Sequence, residues 1–354
     1  MSLKKMRNDI DRLDKEIIQL LNTRAKITLG IAKSKQKSGT SIYAPERERE
    51  VLRKVTTLGM RGPLSKSALE SIYREIMSSS LALEKPLRIA YLGPQATFTH
   101  LAALKRFGSQ VGYTACDSIP DCFREVERDA ADYGVVPIEN SVEGAVTHTL
   151  DMFVDSDLKI CAQIILDVAH NLLANCPKEK IRRVYSNPQV FGQCRIWLQE
   201  NLAAAETIEV SSTTRAAQVA SKEKVSACIA SLLAAKVYKL KVIARDIEDS
   251  PHNITRFLVV GKTLAGRTQH DKTSILFSIK DKVGALHDML LPFKKYHINL
   301  TKIESRPSKR RAWDYYFFVD LEGHLLNMRV KKALAELENK CKFLKVLGSY
   351  PIGD

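Results

Sequence analysis

The apolar residues of this chain change their spacing at Lys85-Pro86-Leu87, and the change divides the chain into parts with different folds. Before it, apolar side chains recur every seven residues, as in a helix that buries one face against other helices. After it, short strand-like segments alternate with helical sequence, which is typical of an α/β sheet architecture. Because Pro86 cannot continue a helix, the linker is expected there. The sequence therefore predicts an all-α domain over residues 1–85, followed by α/β sequence.

A single helix is predicted to run from Lys4 to Lys37. Two apolar rows follow its repeat: Leu3, Ile10, Ile17 and Ile31, and Met6, Leu13, Leu20 and Ile27. Arg24 occupies the position missing from the first row. A charge in a buried seam is costly unless an anion pairs with it. Arg24 should therefore face an internal carboxylate or an anionic ligand, and the spacing leaves both open.

Two further cations lie on the same predicted helix. Lys35 points within roughly 20° of Arg24 and lies about 16 Å further along the axis, so the pair could span a small dicarboxylate. Arg7 lies about 25 Å the other way and points elsewhere, so it could join this site only from a second copy of the chain. A helical dimer with shared sites and a solvated Arg7 are equally consistent with this spacing.

Residues 4–85 resemble the all-helical chorismate mutases. The resemblance is carried by Met6-Arg7, Ile10-Asp11, Leu13-Asp14, Arg24, Lys35, Pro45-Glu46-Arg47-Glu48, Ser80 and Glu84. It implies that Arg24 and the partner subunit's Arg7 hold the two carboxylates of chorismate. It also implies that Lys35 and Glu84 face the ether oxygen, with Arg47, Glu48 and Ser80 at the ring side. The rearrangement needs no nucleophile, since holding a compact conformer and stabilising charge on the breaking bond suffice.

Two positions depart from the best-known pattern of this family. Ala44 stands where many members have an acidic residue, so one contact to the substrate hydroxyl is expected to be missing. Glu84 stands where others have Gln, and a carboxyl group can donate a hydrogen bond to the ether oxygen only when it is protonated. The sequence therefore predicts a mutase activity that falls as rising pH removes the Glu84 proton.

Six short strands are predicted after the linker, separated by helical sequence, and their 175 or so residues could form two lobes with a cleft between them. Polar segments stand at predicted strand ends: Gly93-Pro94-Gln95-Ala96-Thr97-Phe98-Thr99, Pro137-Ile138-Glu139-Asn140-Ser141, Tyr185-Ser186-Asn187-Pro188-Gln189 and His252-Asn253-Ile254-Thr255-Arg256-Phe257. Open α/β sheets bind small ligands at that edge. The first segment also leads into a helix, whose N-terminal N–H groups suit a carboxylate.

Residues 88–262 resemble prephenate dehydratase, a two-lobed α/β fold of the periplasmic-binding-protein type. The matching stretches are the polar segments above with Gly144, His170-Asn171-Leu172-Leu173 and Ser211 to Arg215. The resemblance implies that Thr255 is the leading catalytic residue, with Asn140, Ser186 and Gln193 around it. Thr97, Phe98, Arg256 and Phe257 are expected to bind the substrate.

The implied reaction expels the ring hydroxyl of prephenate as water and the ring carboxylate as carbon dioxide, so the leaving oxygen must gain a proton. A threonine hydroxyl is a poor acid, and Thr255 could supply that proton only if hydrogen-bonded neighbours share it and water is excluded. Ala96 replaces the usual Gly and is expected to be tolerated unless its backbone needs a positive φ. Thr99 replaces the usual Ser, and His170 is interpreted as a structural histidine.

The last part, residues 271–354, is predicted to have the βαββαβ order of an α+β ferredoxin-like domain. It resembles the ACT domain that is fused to prephenate dehydratases and binds phenylalanine between paired domains. The resemblance implies effector contacts at Gly284, Ala285, Leu286, Asn299, Glu304, Ser305, Arg306 and Pro307. A turn at Gly284 and a surface ion pair between Glu304 and Arg306 are the structural alternative.

Charge and cysteine content narrow the function further. The formal net charge is +15, but the densest basic run, Lys309-Arg310-Arg311, lies in a predicted hairpin loop, so nucleic acid is not expected. The positive charge suits anionic small substrates better. The 7 cysteines include no C-x-x-C pair, so neither a disulfide framework nor a zinc site is predicted, and no organic cofactor is implied. Without a signal or membrane-spanning segment, a cytoplasmic protein is expected.

These observations predict a bifunctional enzyme of phenylalanine biosynthesis. It is expected to convert chorismate to prephenate in residues 1–85 and prephenate to phenylpyruvate in residues 86–265, with inhibition by L-phenylalanine through residues 271–354, as a homodimer or larger homo-oligomer. Two alternatives remain open. A monofunctional dehydratase would use the helical domain only to dimerise. An amino-acid-sensing protein would use the cleft and ACT domain without chemistry at Thr255.

Overall fold

The computed structural model describes residues 2–38, 43–60, 62–250, 252–279, 283–308 and 315–353. The basic run at Lys309-Arg310-Arg311 lies outside these residues. The chain forms two compact units, one of Met1–Leu87 with Phe107–Gly112 and one of Arg88–Arg106 with Tyr113–Asp354. No helix in the described ranges has the length and apolar character needed to cross a membrane.

Three helices build the first unit: α1 (Leu3–Ser38), α2 (Pro45–Gly59) and α3 (Lys66–Glu84). Pro45 stands in the first turn of α2, where its missing N–H costs nothing, and the Ser65 side chain caps α3 by accepting from the Ala68 N–H. Helix α1 is unbroken, as predicted, and extends for about 54 Å. The eight apolar residues of its two rows are 42% to 70% exposed within this single chain.

The second unit begins with an α/β lobe that contains six strands and three helices. They are β1 (Arg88–Leu92), α4 (Phe98–Phe107), β2 (Gly112–Cys116), α5 (Ile119–Glu127), β3 (Tyr133–Asn140), β4 (Gly144–Ala145), α6 (Thr147–Asp155), β5 (Lys159–Asp167) and the returning strand β11 (Ile254–Gly261). The strand order is β2-β1-β3-β11-β5, with β4 paired to β3. Strand β11 is antiparallel to both of its neighbours, β3 and β5, and lies next to the edge strand β5.

A second lobe lies between β5 and β11 in the chain. It comprises β6 (Asn171–Ala174), a short 3-10 helix (Lys178–Lys180), β7 (Arg183–Ser186), α7 (Pro188–Gln193), α8 (Arg195–Asn201), β8 (Glu206–Glu209), α9 (Thr213–Ala220), β9 (Ser226–Ala230), α10 (Leu232–Tyr238) and β10 (Lys241–Ala244). Its strand order is β10-β6-β9-β7-β8. The chain therefore crosses between the lobes twice, which creates the predicted two-lobed architecture.

The C-terminal part has the predicted βαββαβ order. Its elements are β12 (Asp271–Ser278), α11 (Ala285–Lys295), β13 (Leu300–Pro307), β14 (Tyr315–Glu322), α12 (Met328–Glu338) and β15 (Phe343–Pro351). The antiparallel order β13-β14-β12-β15 is that of a ferredoxin-like sheet. The prediction of three fold classes, all-α, two-lobed α/β and ferredoxin-like α+β, is thus confirmed.

The two faces of the C-terminal sheet bury different partners. One face packs on its own helices through Phe277, Phe293 and other apolar residues. The opposite face shares a core with the first α/β lobe, in which Phe318 and Tyr350 join Phe153. At Gly348 a Cβ atom would come within 2.3 Å of the Ile160 carbonyl oxygen, so glycine lets β15 approach β5 closely. This contact places the C-terminal sheet directly against the sheet that carries the predicted site residues Asn140 and Thr255.

Candidate active sites

The helical unit brings four of its predicted site residues together between α1 and α3. Arg24 Nη1 donates a hydrogen bond to Ser80 Oγ. Lys35 Nζ lies 3.1 Å from Glu84 Oε2, and the Glu84 side chain is only 9% exposed. This arrangement matches the spacing argument, which placed Arg24 and Lys35 on one side of α1.

Two other predicted residues of this unit lie in different surroundings. Glu48 is buried and its Oε1 accepts a hydrogen bond of 2.7 Å from Arg74 Nη1. The sequence analysis missed Arg74, although it is the only arginine of α3 and so the natural partner there for a buried carboxylate. Arg47 instead lies 2.5 Å from Glu50 Oε2 with its side chain 62% exposed, so it does not join this cluster. Arg7 is exposed on α1.

The second unit contains a cleft of about 560 Å³ lined by residues of both α/β lobes. Predicted site residues that line it are Thr97, Phe98, Asn140, Gln193, Thr255 and Phe257. Further lining residues that the sequence analysis did not assign to the site include Glu143, Asn253 and His148. The C-terminal end of β3 and the N-terminal end of β11 meet here, because Asn140 and Thr255 are paired in the sheet register.

Hydrogen bonds from the backbone determine the orientation of the Asn140 side chain. Its Oδ1 accepts from the N–H groups of Val142 and Glu143 at 2.9 and 3.0 Å. Its Nδ2 must therefore carry both amide protons, and it donates one to Asn253 Oδ1 at 2.7 Å and one to Thr255 Oγ1 at 2.8 Å. Thr255 Oγ1 is thus a hydrogen-bond acceptor, and no bond donated by its own O–H occurs among the described residues.

A further side-chain hydrogen bond connects Asn253 to the second lobe. Asn253 Nδ2 donates to Gln193 Oε1 at 2.9 Å. His170 Nε2 lies 2.7 Å from that same oxygen, which can only accept, so Nε2 carries the ring proton. His170 is almost fully buried, and its Nδ1 has no hydrogen-bond partner in the described part of the chain. Burial lowers the pKa of His170, although Gln193 and the charge of Glu248 act in the opposite direction.

Glu143 joins the two lobes across the cleft. Its Oε1 accepts from Gln193 Nε2 at 3.2 Å, and its Oε2 accepts from the side-chain amide of Gln189. Glu143 follows β3 in the first lobe, whereas both glutamines belong to α7 in the second. A continuous series of hydrogen bonds therefore runs from Glu143 through Gln193, Asn253 and Asn140 to Thr255.

Ser186 and Arg256, both expected in the site, lie elsewhere. Ser186 is completely buried and its hydroxyl donates to the Ile229 carbonyl oxygen at 3.0 Å, so it does not line the cleft. Arg256 lies on the other face of β11 from Thr255, because successive side chains of a strand point to opposite faces. Its guanidinium pairs with Asp320 of the C-terminal sheet at 2.7 Å. We therefore leave both residues out of the set that contacts substrate.

The one condition under which Ala96 was not expected to be tolerated, a positive φ, is met. Ala96 adopts a φ of 71°, the left-handed region in which a Cβ atom clashes with the backbone. Its carbonyl oxygen accepts from Ser231 Oγ at 3.0 Å and its N–H donates to His100 Nδ1 at 3.1 Å. These bonds hold the loop before α4 in a conformation that suits glycine better than alanine.

The predicted effector residues lie at the start of α11 and along β13. Gly284 has a φ of 75° and immediately precedes α11, with Ala285 buried behind it. Arg306 Nη2 lies 3.4 Å from Asp151 Oδ1 in the first α/β lobe, rather than pairing with Glu304. Strand β13 is the outermost strand of its sheet, so one of its edges lacks a partner strand within the described chain.

Comparison with known proteins agrees with this geometry in all three parts. Residues 6–85 match the family model of chorismate mutase type II, residues 89–264 that of prephenate dehydratase and residues 273–339 that of the ACT domain. The described residues contain no group of three or more His, Cys, Asp or Glu side chains that could hold a metal ion.

Full-length relatives carry the same three parts. A bifunctional chorismate mutase/prephenate dehydratase of Aquifex aeolicus is 52% identical over 99% of this chain and 98% of its own length. One from Pseudomonas aeruginosa is 44% identical over 99% and 97%. A solved prephenate dehydratase from Arthrobacter aurescens, in complex with L-Phe, is 34% identical with a TM-score of 0.70, over 75% of this chain and 90% of that one.

The fold and the two sites define a multidomain enzyme in which a helical mutase, a two-lobed dehydratase and an ACT domain share one polypeptide. The chain belongs to the family of bifunctional chorismate mutase/prephenate dehydratases. It is therefore both an isomerase that acts on chorismate and a lyase that acts on prephenate.

Proposed function

We propose that Thr255 donates the proton with which the ring hydroxyl of prephenate leaves as water. The observation that supports this role is the direction of the side-chain hydrogen bonds. Asn140 donates to Thr255 Oγ1, so the O–H group of Thr255 remains available to the cleft. Asn140 Nδ2 also stabilises the negative charge that grows on Oγ1 as its proton leaves. A poor acid becomes a workable donor in this way.

The electron flow is consistent with one proton donor and no nucleophile. The bond from the ring carbon to its carboxylate breaks, and its electron pair enters the ring as carbon dioxide leaves. The ring carbon–oxygen bond breaks at the opposite position, and its electron pair stays on the oxygen that takes the Thr255 proton. The products are phenylpyruvate, carbon dioxide and water, and Oγ1 regains a proton from solvent when the cleft opens.

Replacement of Thr255 tests this role. Thr255→Val keeps the shape but removes the hydroxyl, and the dehydratase kcat should fall by about 10²-fold or more. Thr255→Ser keeps the hydroxyl and should retain most of the turnover. Conversion of chorismate by the same protein measures the amount of enzyme, and an unchanged thermal midpoint shows that the unit carrying Thr255 is folded. Near-normal dehydratase turnover in Thr255→Val would refute the role.

For the mutase site we propose that Arg24, Lys35, Glu48, Ser80 and Glu84 act with the partner subunit's Arg7. The two apolar rows of α1 support a dimer, since a long helix with so much exposed apolar surface suits a second copy of the chain. Ile17→Asp, in the middle of one row, should give a monomer with little mutase activity. Leu58→Asp on α2, where the side chain is 82% exposed, is the matched control and should leave the dimer intact.

We further propose that L-phenylalanine inhibits the dehydratase by binding at the start of α11 and along β13. We also propose that the chain divides into domains at residues 1–85, 86–265 and 271–354, and that the enzyme works in the cytoplasm. The Arthrobacter aurescens dehydratase, solved with L-Phe, supports this effector. Gly284→Val should weaken phenylalanine inhibition about tenfold or more, because a β-branched residue cannot easily adopt the φ of 75° required there. Unchanged inhibition of this variant, with unchanged turnover, would contradict the proposed site.

A further inference from the structure

A cluster of buried charges lies between the dehydratase sheet and the C-terminal sheet. At its centre, Arg256 Nη1 is 2.7 Å from Asp320 Oδ2, with side-chain exposures of 13% and 7%. Asp320 Oδ1 accepts a hydrogen bond from Ser274 Oγ, which also pairs with the buried Tyr350 hydroxyl. Asp320 lies on β14 and Arg256 on β11, so the ion pair joins two sheets that belong to different domains.

A second contact of the same kind involves Glu139. Lys302 Nζ of β13 lies 3.0 Å from Glu139 Oε1, and Arg256 Nη1 lies 3.7 Å from Glu139 Oε2. Lys272 Nζ completes the cluster at 3.7 Å from Asp320 Oδ2. Lys302 is two residues from Glu304, the first residue of the proposed effector motif on the same strand.

The sheet register relates this cluster directly to the catalytic pair. Thr255 is opposite Asn140 across β11 and β3, and Arg256 is opposite Glu139. Each charged residue is therefore one peptide bond away from a residue of the cleft. Along β11 the side chains alternate, with Thr255 and Phe257 lining the cleft and Arg256 facing the C-terminal sheet. A shift of the backbone at Arg256 would therefore also move Thr255.

Stability alone gives little reason for such a cluster. Buried ion pairs are costly to desolvate, and apolar residues of similar volume often stabilise a protein as well or better. Here Arg256 Nε also has no hydrogen-bond partner within the described residues. A small cavity of about 20 Å³ adjoins both side chains. Unlike apolar packing, the ion pair with Asp320 defines the position of Arg256 along the direction of β11.

We propose that Asp320 is a positioning residue for the dehydration: through Arg256, this residue of the ACT domain holds Thr255 at the place where its hydroxyl meets the substrate. The inference rests on the proposed role of Thr255. The C-terminal sheet is then part of the structure that positions the active-site residues. Through its ion pair with Glu139, Lys302 connects the proposed effector strand β13 to the backbone that carries Asn140.

A double-mutant cycle on the full-length protein tests the proposal. The variants are Arg256→Met, Asp320→Leu and the double variant, each compared for thermal midpoint, for kcat and KM with prephenate, and for turnover of chorismate. Each single variant leaves a buried charge without its main partner, so its thermal midpoint should fall, whereas the double variant should recover most of that fall, less the cost of leaving Lys272 Nζ without Asp320. Mutase turnover by the helical unit measures the amount of enzyme in each assay, and the thermal midpoint measures the folding of the second unit.

If Asp320 positions Thr255, all three variants lose dehydratase kcat by a similar factor of about 10- to 100-fold, because misplacement of a catalytic group by about 1 Å has that effect. KM should change less than threefold. The double variant is decisive, since its kcat should stay low although its stability returns. A double variant that regains both stability and normal kcat would show that the pair is only structural and would overturn the proposal.

The same experiment separates this inference from the proposed catalytic role. Normal dehydration by Thr255→Val removes Thr255 as the proton donor, whatever the cycle gives. Normal kcat in the double variant, with Thr255→Val inactive, leaves the proton donor in place and rejects Asp320 as its positioning residue. Lys302→Met removes the cation that pairs with Glu139 and leaves an unbranched side chain in its place. This variant should also lower kcat, by a smaller factor.

Discussion

Asn140 Nδ2 donates a hydrogen bond of 2.8 Å to Thr255 Oγ1 across two neighbouring strands, and this bond determines what the threonine hydroxyl can do. Because Asn140 Oδ1 is already bound by two backbone N–H groups, its amide cannot turn round to accept from Thr255. The threonine proton is therefore directed to another acceptor, and the cleft is where a substrate oxygen can provide one.

Asn140→Asp should test this orientation. The substitution replaces the amide donor by an acceptor of the same shape, so Thr255 would donate its proton to the new carboxylate and lose charge stabilisation at Oγ1. We expect dehydratase kcat to fall by about 10²- to 10³-fold, the usual cost of removing a donor that stabilises developing negative charge. Steady-state assays with prephenate measure it, and chorismate turnover should remain normal. A loss of less than threefold would contradict this orientation.

Glu84→Gln should raise the rate of the mutase. Glu84 is paired with Lys35 at 3.1 Å, and a carboxylate cannot donate a hydrogen bond to an ether oxygen, whereas the amide of Gln always can. We expect the Gln variant to convert chorismate about tenfold faster than the native protein at pH 8. Chorismate loss at that pH measures both rates. Equal rates would count against a hydrogen bond from position 84 to the ether oxygen.

The buried His170 should make the protein less stable in acid. Burial lowers its pKa below the ordinary 6.5, so the unfolded chain binds a proton before the native protein does. Stability from this residue is present above pH 6.5 and is lost as the pH falls through 6.5 towards the lower native pKa. The thermal midpoint should therefore drop between pH 7.5 and 5.5 more for the native protein than for His170→Gln. Equal drops would remove His170 from the acid response.

Ala96→Gly should be much less destabilising than Ala103→Gly. A left-handed alanine costs roughly 1–2 kcal/mol, which glycine avoids, and this gain offsets about 0.5–1 kcal/mol of backbone entropy and about 0.8 kcal/mol for the buried methyl group of Ala96. We therefore expect the free energy of unfolding, measured by urea denaturation, to change by less than about 1 kcal/mol. Ala103→Gly, inside α4, is the matched control and should lose about 2 kcal/mol, because its backbone is right-handed and its side chain is likewise buried. Equal losses in the two variants would show that the left-handed backbone of Ala96 carries no strain.

The sequence by itself determined the three fold classes and much of the cleft. Periodicity is a local property, so the seven-residue rows predicted the long α1, and the strand and helix order predicted the ferredoxin-like domain. The strand ends at Asn140 and Thr255 could be recognised as polar groups at one sheet edge before any coordinates existed. Resemblance then supplied their roles, since composition and spacing name no substrate.

Only the tertiary structure decided which face each strand residue occupies. Thr255 and Arg256 are adjacent in sequence, yet one lines the cleft and the other pairs with Asp320, 64 positions further along the chain. Because side chains alternate along a strand, Thr255 and Arg256 are expected on opposite faces of the sheet. The alternation does not predict which of the two faces the cleft. The partner of Glu48, the buried hydroxyl of Ser186 and the φ of Ala96 depended likewise on contacts distant in sequence. Such contacts form only when distant parts of the chain pack together, and one of them, the hydrogen bond from Asn140, determines the orientation of the Thr255 hydroxyl.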